Sequence, residues 1–383
     1  MSACRQGKND MRILYVTTIS LTMNTFFKPH IDMLVKEGHE VDIACNCNDL
    51  NIDEFYIDLG CKVHQIDFSR SPISVNNIRA YRQLTNVIKN GNYDIVHCHT
   101  PNASVITRLV CRKFRKKNGL KVFYTAHGFH FYKGAPQLNW MIFYPIEKFC
   151  SRYTDKLITI NQEDYELARY KFKVKDIVLV SGVGIDLSRF GKISVDKVVK
   201  RREISVPEDA FLLLSVGELN ENKNHQVVIR AMAKLKDSNL HYVIAGDGDK
   251  KDYLLELAAN LGVSERVHLL GYRKDIEELI RSADLFCFPS QREGLGLAAI
   301  EAMACGLPVL AAENRGTREF VVHEKNGFLC QCFDSDAFAD SISRAVNDRN
   351  LLERFSENTY DSVKRFDVDN VVSIMEGIYL KHL

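Results

Sequence analysis

The stretch that decides the fold runs Phe288-Pro-Ser-Gln-Arg-Glu-Gly-Leu-Gly-Leu-Ala-Ala-Ile-Glu-Ala-Met-Ala-Cys-Gly-Leu-Pro-Val309. It predicts the end of a buried strand, a loop that carries Glu293, and a helix of small residues that carries Glu301. The two acids are eight positions apart, a little over two helical turns, so both can point toward one ligand. An acid on a helix of Ala, Leu, Ile and Met is costly to bury unpaired. This favours ligand binding over simple stabilisation of the helix dipole.

Apolar strand-like runs alternate with helical periodicity on both sides of this stretch. The alternation predicts an α/β fold of two doubly wound Rossmann-like domains facing across a cleft. Ligands of such parallel sheets bind beyond the carboxyl ends of the strands. The predicted strands are 12–18, 41–44, 94–99, 121–126 and 156–160 in the first half, and 211–216, 241–245, 267–270, 285–289 and 308–311 in the second.

The alternation breaks near Ser181-Gly-Val-Gly184 and resumes at Phe211. We therefore predict domains at 1–185 and 186–367. Residues 368–383 follow the second domain as a predicted C-terminal helix. The chain length of 383 residues fits two domains of roughly 150–190 residues each.

Composition excludes several classes of protein. With 46% hydrophobic and 26% charged residues the chain can bury cores and is not disordered. A net charge of +2 is not that of a bulk nucleic-acid binder, although the first half is basic and the second acidic. The 11 cysteines match neither a disulfide framework nor a zinc pattern. Residues 1–10 are polar without an apolar signal core, and no apolar run could span a bilayer, so we expect a cytoplasmic protein.

The stretch 290–329 closely resembles the signature of retaining glycosyltransferase family 4, with its Glu-(seven residues)-Glu element and Gly-Leu-Pro-Val turn. Further family-like positions follow in the right order along almost the whole chain: 182–190, 215–224, 269–272, 316–319 and 326–329. Bacterial capsular and exopolysaccharide glycosyltransferases are similar. The resemblance implies the GT-B fold, in which a C-terminal helix, here within 368–383, commonly crosses back to the first domain. It also implies a nucleotide-sugar donor, UDP-linked, held by the C-terminal domain and an acceptor approaching the N-terminal one.

The resemblance also implies roles for individual residues. Breaking a sugar–diphosphate bond builds negative charge on the leaving phosphate, so the site needs cations and N–H donors. Glu293, His127 and Lys223 are the candidate catalytic residues: the acid binds sugar hydroxyls, the histidine reaches the donor sugar and the lysine binds the β-phosphate. The candidate donor-binding residues are Gly294, Leu295 and Gly296 by their N–H groups, Glu301 at the ribose diol, and the backbone near Tyr272 and Arg273 at the base.

One position departs from the family pattern. Many relatives carry arginine, a second phosphate clamp, at the position of Glu218, and an acid there would repel phosphate. Arg292 and Arg315 are candidates to replace that cation, and surface solvation is the simplest alternative for both.

Several polar groups in the first half invite a site interpretation. His97 and His99 alternate on a strand and share one face, so zinc is conceivable, but no third ligand is suitably spaced and hydrogen bonding in a cleft is favoured. The loop after the first strand offers Thr18, Ser20 and Asn24 for contact with acceptor or phosphate, or for helix capping.

No cofactor or metal is expected beyond the donor. Asp247-Gly-Asp249 has the spacing of a metal-binding Asp-x-Asp, but the same spacing recurs at Asp334 and Asp336, and a tight turn explains it better. We therefore predict metal-independent activity.

A basic run at 108–117 precedes an aromatic group that contains the single tryptophan, Trp140. Basic clusters and interfacial aromatics favour anionic membrane surfaces, whereas core packing and a solvated helix face are the alternatives. The membrane hypothesis gives the N-terminal domain peripheral contact with the inner face of the plasma membrane, where a lipid-linked acceptor would lie.

The leading hypothesis is retaining transfer of a hexosyl or N-acetylhexosaminyl group from a UDP-sugar to a lipid-linked or saccharide acceptor in bacterial surface polysaccharide synthesis. A dehydrogenase needs a glycine-rich loop after the first strand, and that loop contains no glycine. A non-catalytic nucleotide-sugar-binding subunit of a membrane-associated assembly is the remaining alternative, and Glu218 supports it.

Overall fold

The computed structural model describes residues 10–190, 194–235 and 237–380, with the side chains of Lys117 and Asn118 left out. The chain divides into two compact units. The N-terminal domain contains the residues up to Gly184 together with the helix that begins at Val368, and the C-terminal domain is Ile185–Asp367. The polar segment 1–9, used above to argue against a signal peptide, lies outside the described residues. No helix in the described ranges is long and apolar enough to cross a membrane.

The N-terminal domain is built on a seven-stranded parallel sheet in the described chain, with strand order 3-2-1-4-5-6-7. Its strands are β1 (Arg12–Ile19), β2 (Glu40–Asn46), β3 (Val63–Gln65), β4 (Ile95–His99), β5 (Lys121–Ala126), β6 (Lys156–Thr159) and β7 (Asp176–Leu179). Its helices are α1 (Ser20–Phe26), α2 (Lys28–Lys36), α3 (Glu54–Asp58), α4 (Asn76–Gly91), α5 (Pro101–Asn118), α6 (Gln137–Cys150) and α7 (Gln162–Lys171), with a 3-10 turn at Ser151–Tyr153.

The C-terminal domain repeats the plan on six parallel strands, within the residues described, in the order 10-9-8-11-12-13. Its strands are β8 (Phe211–Val216), β9 (Leu240–Ala245), β10 (Val267–Gly271), β11 (Leu285–Phe288), β12 (Val309–Ala312) and β13 (Gly327–Cys330). Its helices are α8 (Lys197–Glu203), α9 (Gln226–Leu235), α10 (Lys251–Asn260), α11 (Ile276–Ser282), α12 (Leu297–Ala304), α13 (Ser335–Asn347) and α14 (Arg349–Val363), with 3-10 turns at Leu187–Arg189, Ser264–Arg266, Thr317–Glu319 and Lys364–Phe366.

The last helix, α15 (Val368–Leu380), belongs to the N-terminal domain. Its buried residues join the core that contains one face of β1, and they are Val371, Met375, Ile378 and Tyr379. Full burial of such side chains contributes about 1.5–3 kcal/mol each, so this helix is an integral part of that domain.

The prediction of two parallel-sheet α/β domains is confirmed. Three strands were missed, and each has a plain reason. β3 has only three residues, β7 is half-buried along its length, and β13 is four residues long and begins with a glycine. None of them shows the long apolar run of a central strand in a parallel sheet.

The strand order reverses at one point in each sheet. In the N-terminal domain the reversal lies between β1 and β4, and in the C-terminal domain between β8 and β11. Crossover connections leave these two neighbours in opposite directions, which opens a crevice at their carboxyl ends. The loops that follow β1, β4, β8 and β11 are therefore where polar side chains can reach a ligand.

The basic run on α5 is only partly a surface feature. Arg108 is buried and binds both oxygens of Glu147 on α6, at 2.8 and 3.1 Å, while its guanidinium lies 4.2 Å from the ring centre of Tyr124. Arg115 pairs in the same bidentate way with Asp155. The exposed cations of this run whose side chains are described are Arg112, Lys113 and Lys116, and Lys117 lies outside the described side chains. The interpretation of the whole run as a membrane-facing patch is therefore wrong for Arg108 and Arg115.

Replacing Arg108 by Met should destabilise the N-terminal domain by about 3–5 kcal/mol, because Glu147 would remain buried without its counter-charge. Denaturant unfolding followed by Trp140 fluorescence measures this, since the only tryptophan of the chain lies on α6. Arg112→Met on the exposed face of α5 is the matched control, with a change within about 0.5 kcal/mol. Equal stability of the two variants would contradict the structural role of the pair.

Candidate active site

An ion pair lies at the strand-order reversal of the C-terminal sheet. Lys223 follows β8 and Glu293 follows β11, and the Nζ atom is 2.7 Å from Oε1. The same Nζ lies 5.2 Å from the ring centre of Phe288, the last residue of β11. Both side chains keep partial exposure, 23% for the lysine and 15% for the acid. A cation and a carboxylate therefore meet at the edge where parallel sheets bind ligands.

Asparagine side chains in the loop that carries Lys223 hydrogen-bond the backbone carbonyls of adjacent loops. Asn224 adopts a left-handed conformation with φ of 52°, which asparagine tolerates better than most residues. Its Nδ2 donates to the carbonyls of Pro289 at 3.3 Å and Cys332 at 2.6 Å. The Nδ2 of Asn222 donates to the Arg292 carbonyl at 3.1 Å. These bonds hold the lysine loop and the glutamate loop in one geometry.

Glycines shape the turn from Glu293 into α12. Gly296 has φ of 112°, and a Cβ at this position would lie 2.9 Å from the Phe288 ring. A Cβ on Gly316 would lie 2.6 Å from the Leu295 carbonyl oxygen. Among the described residues, the N–H groups of Leu295 and Gly296 make no hydrogen bond, and no side chain caps α12. This turn therefore offers backbone donors at the positive end of a helix, which suits an anion.

Glu301 differs from Glu293 in that its side chain has no hydrogen-bonding or ion-pair partner among the residues that the structure describes. Burial raises the pKa of its carboxyl group, while the charge of Arg189 opposes the rise. A partly buried carboxylate without a donor can still accept two hydroxyl protons. Glu301 therefore lies on α12 as a partly buried acid, and ligand binding by its side chain stays a prediction.

The two arginines proposed to compensate for Glu218 have different surroundings. Arg315 is buried, and its Nε lies 3.3 Å from the Glu293 carbonyl oxygen, so surface solvation is wrong for this residue. Arg292 is exposed, as the solvation alternative predicts. Glu218 itself is exposed and accepts a hydrogen bond from Asn220 at 2.9 Å.

The predicted base-reading segment lies at the end of β10. The Tyr272 side chain is 75% exposed, and its N–H donates to Asp247 at 2.9 Å. The Arg273 guanidinium is already paired with Asp275 and Glu203. The sequence could not reveal that the arginine is engaged within the domain, because Glu203 is 70 residues away. Asp247 stabilises the turn, in keeping with the turn interpretation of Asp-Gly-Asp.

Three histidines gather at the carboxyl ends of β4 and β5 in the N-terminal domain. His97 and His99 have ring centres 4.2 Å apart, and His99 Nδ1 is 3.3 Å from Nε2 of His127. His97 also contacts the Tyr379 hydroxyl at 2.5 Å and the Thr125 hydroxyl at 2.8 Å. The structure therefore brings His127 together with the strand histidines, and it adds Tyr379 from α15, which sequence reasoning missed.

Burial keeps these imidazoles neutral. Loss of hydration, followed by the nearby His30, lowers the pKa of His127 to about 4. Burial also lowers the pKa of His97 and His99. The Nε2 atom of His99 is buried without a hydrogen-bond partner in the described residues. Across those residues, no group of three or more His, Cys, Asp or Glu side chains is placed to hold a metal ion.

The three polar residues expected in the loop after β1 have local roles. Thr18 hydrogen-bonds the Thr100 hydroxyl at 2.7 Å across the strand-order reversal. Ser20 and Asn24 lie within α1 and bind the carbonyls of Leu50 and Asn51. Neither of these two caps α1, whose first flanking residue, Ile19, has no side-chain capping bond. The prediction of a loop after the first strand was wrong, because α1 begins directly after β1.

Two family models match the chain. Residues 196–362 match "Glycosyl transferases group 1", and residues 12–161 match "Glycosyl transferase 4-like". The chain is 38% identical to "Putative glycosyltransferase EpsD" of Bacillus subtilis, covering 97% of each protein. It is 26% identical to the "UDP-Gal:alpha-D-GlcNAc-diphosphoundecaprenol alpha-1,3-galactosyltransferase" of Escherichia coli, covering 91% of each.

The solved structures that match include the HepE protein of Anabaena in complex with UDP and glucose. The TM-score is 0.78 at 21% identity, and the match covers 97% of this chain and 100% of HepE. This likeness shows the GT-B fold.

Acidification should destabilise the N-terminal domain. A histidine whose pKa falls from 6.5 to about 4 on folding binds its proton more readily in the unfolded chain. Its contribution to the free energy of unfolding is therefore fully present above pH 6.5 and is lost as the pH falls toward 4. The total loss is at most about 3 kcal/mol. Trp140-detected unfolding across this range measures the slope, and His127→Gln should reduce it. An unchanged slope in this variant would contradict the assignment.

Proposed function

Because the chain belongs to the group 1, family 4-like glycosyl transferases, we propose that it transfers a sugar from a UDP-sugar to a lipid-linked or saccharide acceptor, with retention of anomeric configuration. The acceptor class is a precursor of a bacterial surface polysaccharide. The E. coli relative's name supports a lipid-linked acceptor, and the UDP complex of HepE supports the nucleotide.

The observation that carries the proposal is the Lys223–Glu293 pair. Loss of the sugar from a nucleoside diphosphate leaves negative charge on the β-phosphate and positive charge on the sugar ring. Lys223 supplies a cation for the first, and the carboxylate 2.7 Å away supplies an acceptor for the sugar hydroxyls. The N–H groups of Leu295 and Gly296 add donors for the diphosphate.

Glu301 completes the donor site in this proposal. Its carboxylate accepts the two ribose hydroxyls, which replaces the hydration lost by burial. The backbone at Tyr272 and Arg273 binds the base. The arginine side chain takes no part, because Asp275 and Glu203 already bind it.

The proposed chemistry is front-face displacement. The bond between the anomeric carbon and the β-phosphate oxygen breaks, and the acceptor oxygen attacks from the same face. The leaving phosphate accepts the acceptor's proton, and Lys223 stabilises the phosphate charge. No metal takes part, because Lys223, the helix terminus and backbone donors supply the positive potential.

Glu218 supports a second candidate, a subunit that binds the nucleotide sugar without transferring it. An exposed acid where many relatives carry arginine weakens phosphate binding. Arg315 bears on this alternative, because its guanidinium is held beside the Glu293 backbone and supplies a cation on that loop.

A panel of UDP-sugars with the purified protein should give release of free UDP for one donor, faster in the presence of an undecaprenyl-diphosphate-linked saccharide. EDTA should leave the rate unchanged. Loss of turnover in EDTA with recovery on adding Mn²⁺ would contradict the metal-free mechanism, and donor binding without release would favour the non-catalytic alternative.

Lys223→Ala and Glu293→Gln should each lower kcat by about 10²–10³, because each removes a charged contact that strengthens in the transition state. The matched controls are Lys250→Ala and Glu221→Gln, since these residues form a similar ion pair in the same domain at 3.0 Å. Wild-type rates in the controls and equal melting temperatures would assign the loss to the site. Full activity of Glu293→Gln would contradict the role of this acid.

A further inference from the structure

Two adjoining cavities in the N-terminal domain form one continuous cleft, which we call the N-domain cleft. One end has a volume of about 400 Å³ and the other about 430 Å³, each within the range of about 300–1,000 Å³ found for small-molecule pockets. Five residues line both ends: Pro72, Pro101, Asn102, His130 and Phe143. A single elongated molecule can therefore occupy both.

The first end differs from the second in carrying a cation and hydroxyl groups on walls that are otherwise largely apolar. Arg70 lines it, and the guanidinium makes no hydrogen bond or ion pair in the described part of the chain. The arginine loop is fixed, because Asn102 Nδ2 donates to the carbonyls of Ser69 at 3.0 Å and Arg70 at 2.6 Å. The wall also contains Thr18, Thr100 and the first turn of α5, whose amino-terminal N–H groups favour an anion.

The second end is apolar. Ile142 and Ile146 of α6 line it and are 45% and 41% exposed, and Ile73 from the opposite loop is 91% exposed. Exposed aliphatic residues that line a cavity are costly in water and indicate an apolar ligand. Glu147 also lines this end, but Arg108 binds both of its oxygens and neutralises its charge.

We propose that the N-domain cleft binds one molecule of a phosphorylated lipid. Its phosphate lies beside Arg70, and the part of its hydrocarbon chain nearest the phosphate lies between the loop carrying Ile73 and α6. This inference rests on the proposed function, because it identifies how the lipid-linked acceptor is held. Charge complementarity selects this occupant: a neutral chain would leave the Arg70 cation without a partner, and a free phosphate would leave the apolar end in water.

The test uses the full-length protein and monomeric farnesyl phosphate, titrated by isothermal calorimetry at several temperatures. We expect one molecule per chain, with the negative heat-capacity change of apolar burial. Farnesol and inorganic phosphate should each bind at least about tenfold more weakly. Arg70→Ala and Ile142→Asp should each weaken binding about tenfold, with Ile73→Asp as a second apolar-end variant that is too exposed to disturb folding.

Matched controls lie next to these positions. Arg82→Ala removes an exposed cation, and Met141→Asp adds an acid beside Ile142, on residues that do not line the cleft. Both should keep wild-type affinity. Equal affinity for farnesol would overturn phosphate recognition. Binding to anionic vesicles without binding of monomeric farnesyl phosphate would make the face a membrane-docking surface and overturn the single-lipid site.

The outcome is separable from that of the proposed function. UDP binding, and the release of UDP when the sugar is transferred to a soluble saccharide, report on the transferase alone when they are measured on the same preparations. A protein that transfers sugar but does not bind farnesyl phosphate contradicts only the N-domain cleft. A protein that binds farnesyl phosphate but releases no UDP from any donor contradicts only the transferase proposal.

Discussion

Reversal of strand order in a parallel sheet is the constraint on which the rest of this molecule depends. Each sheet reverses once, between β1 and β4 and between β8 and β11, and at that point no crossover covers the carboxyl ends of the strands. Lys223 and Glu293 lie in the loops that follow β8 and β11, at the reversal in the second sheet. The Thr18–Thr100 hydrogen bond spans the reversal in the first sheet. The strand order therefore determines where a ligand can bind in each domain, whichever side chains lie there.

The two reversals carry different electrostatics. In the C-terminal domain a partly exposed ion pair, a helix terminus and an acid with a raised pKa make a site suited to charged ligands. In the N-terminal domain, burial keeps His97, His99 and His127 neutral, so they act as hydrogen-bonding groups. This difference matches the division in the proposed function between the diphosphate of the donor and the hydroxyl groups of the acceptor sugar, while the lipid phosphate of the acceptor is assigned to Arg70 in the N-domain cleft.

A count of basic residues in the sequence overstates the number of cations that are available to bind a ligand. Arg108, Arg115 and Arg273 are all engaged with carboxylates of their own domain. Arg70 has no such partner in the described residues, yet nothing in its sequence neighbourhood distinguishes it from the others. Pairing is a tertiary property, because a carboxylate that neutralises a cation usually comes from a different element, as Glu147 on α6 does for Arg108 on α5. The basic run on α5 is an example, because the sequence predicts six available cations and two of them, Arg108 and Arg115, are paired within the domain.

The sequence alone determined the two-domain α/β plan and the central strands, because buried parallel strands are continuous apolar runs that are visible locally. Two of them, β5 and β8, have the predicted bounds. It also determined that Glu293 and Glu301 belong to a glycine-opened turn and its helix. Only the tertiary structure decided which groups meet: Lys223 with Glu293 across 70 residues, His97 with Tyr379 across 282, and the Ile73 loop with α6. These contacts depend on how strands are ordered and helices packed, and no local pattern encodes a distance between residues so far apart in the chain.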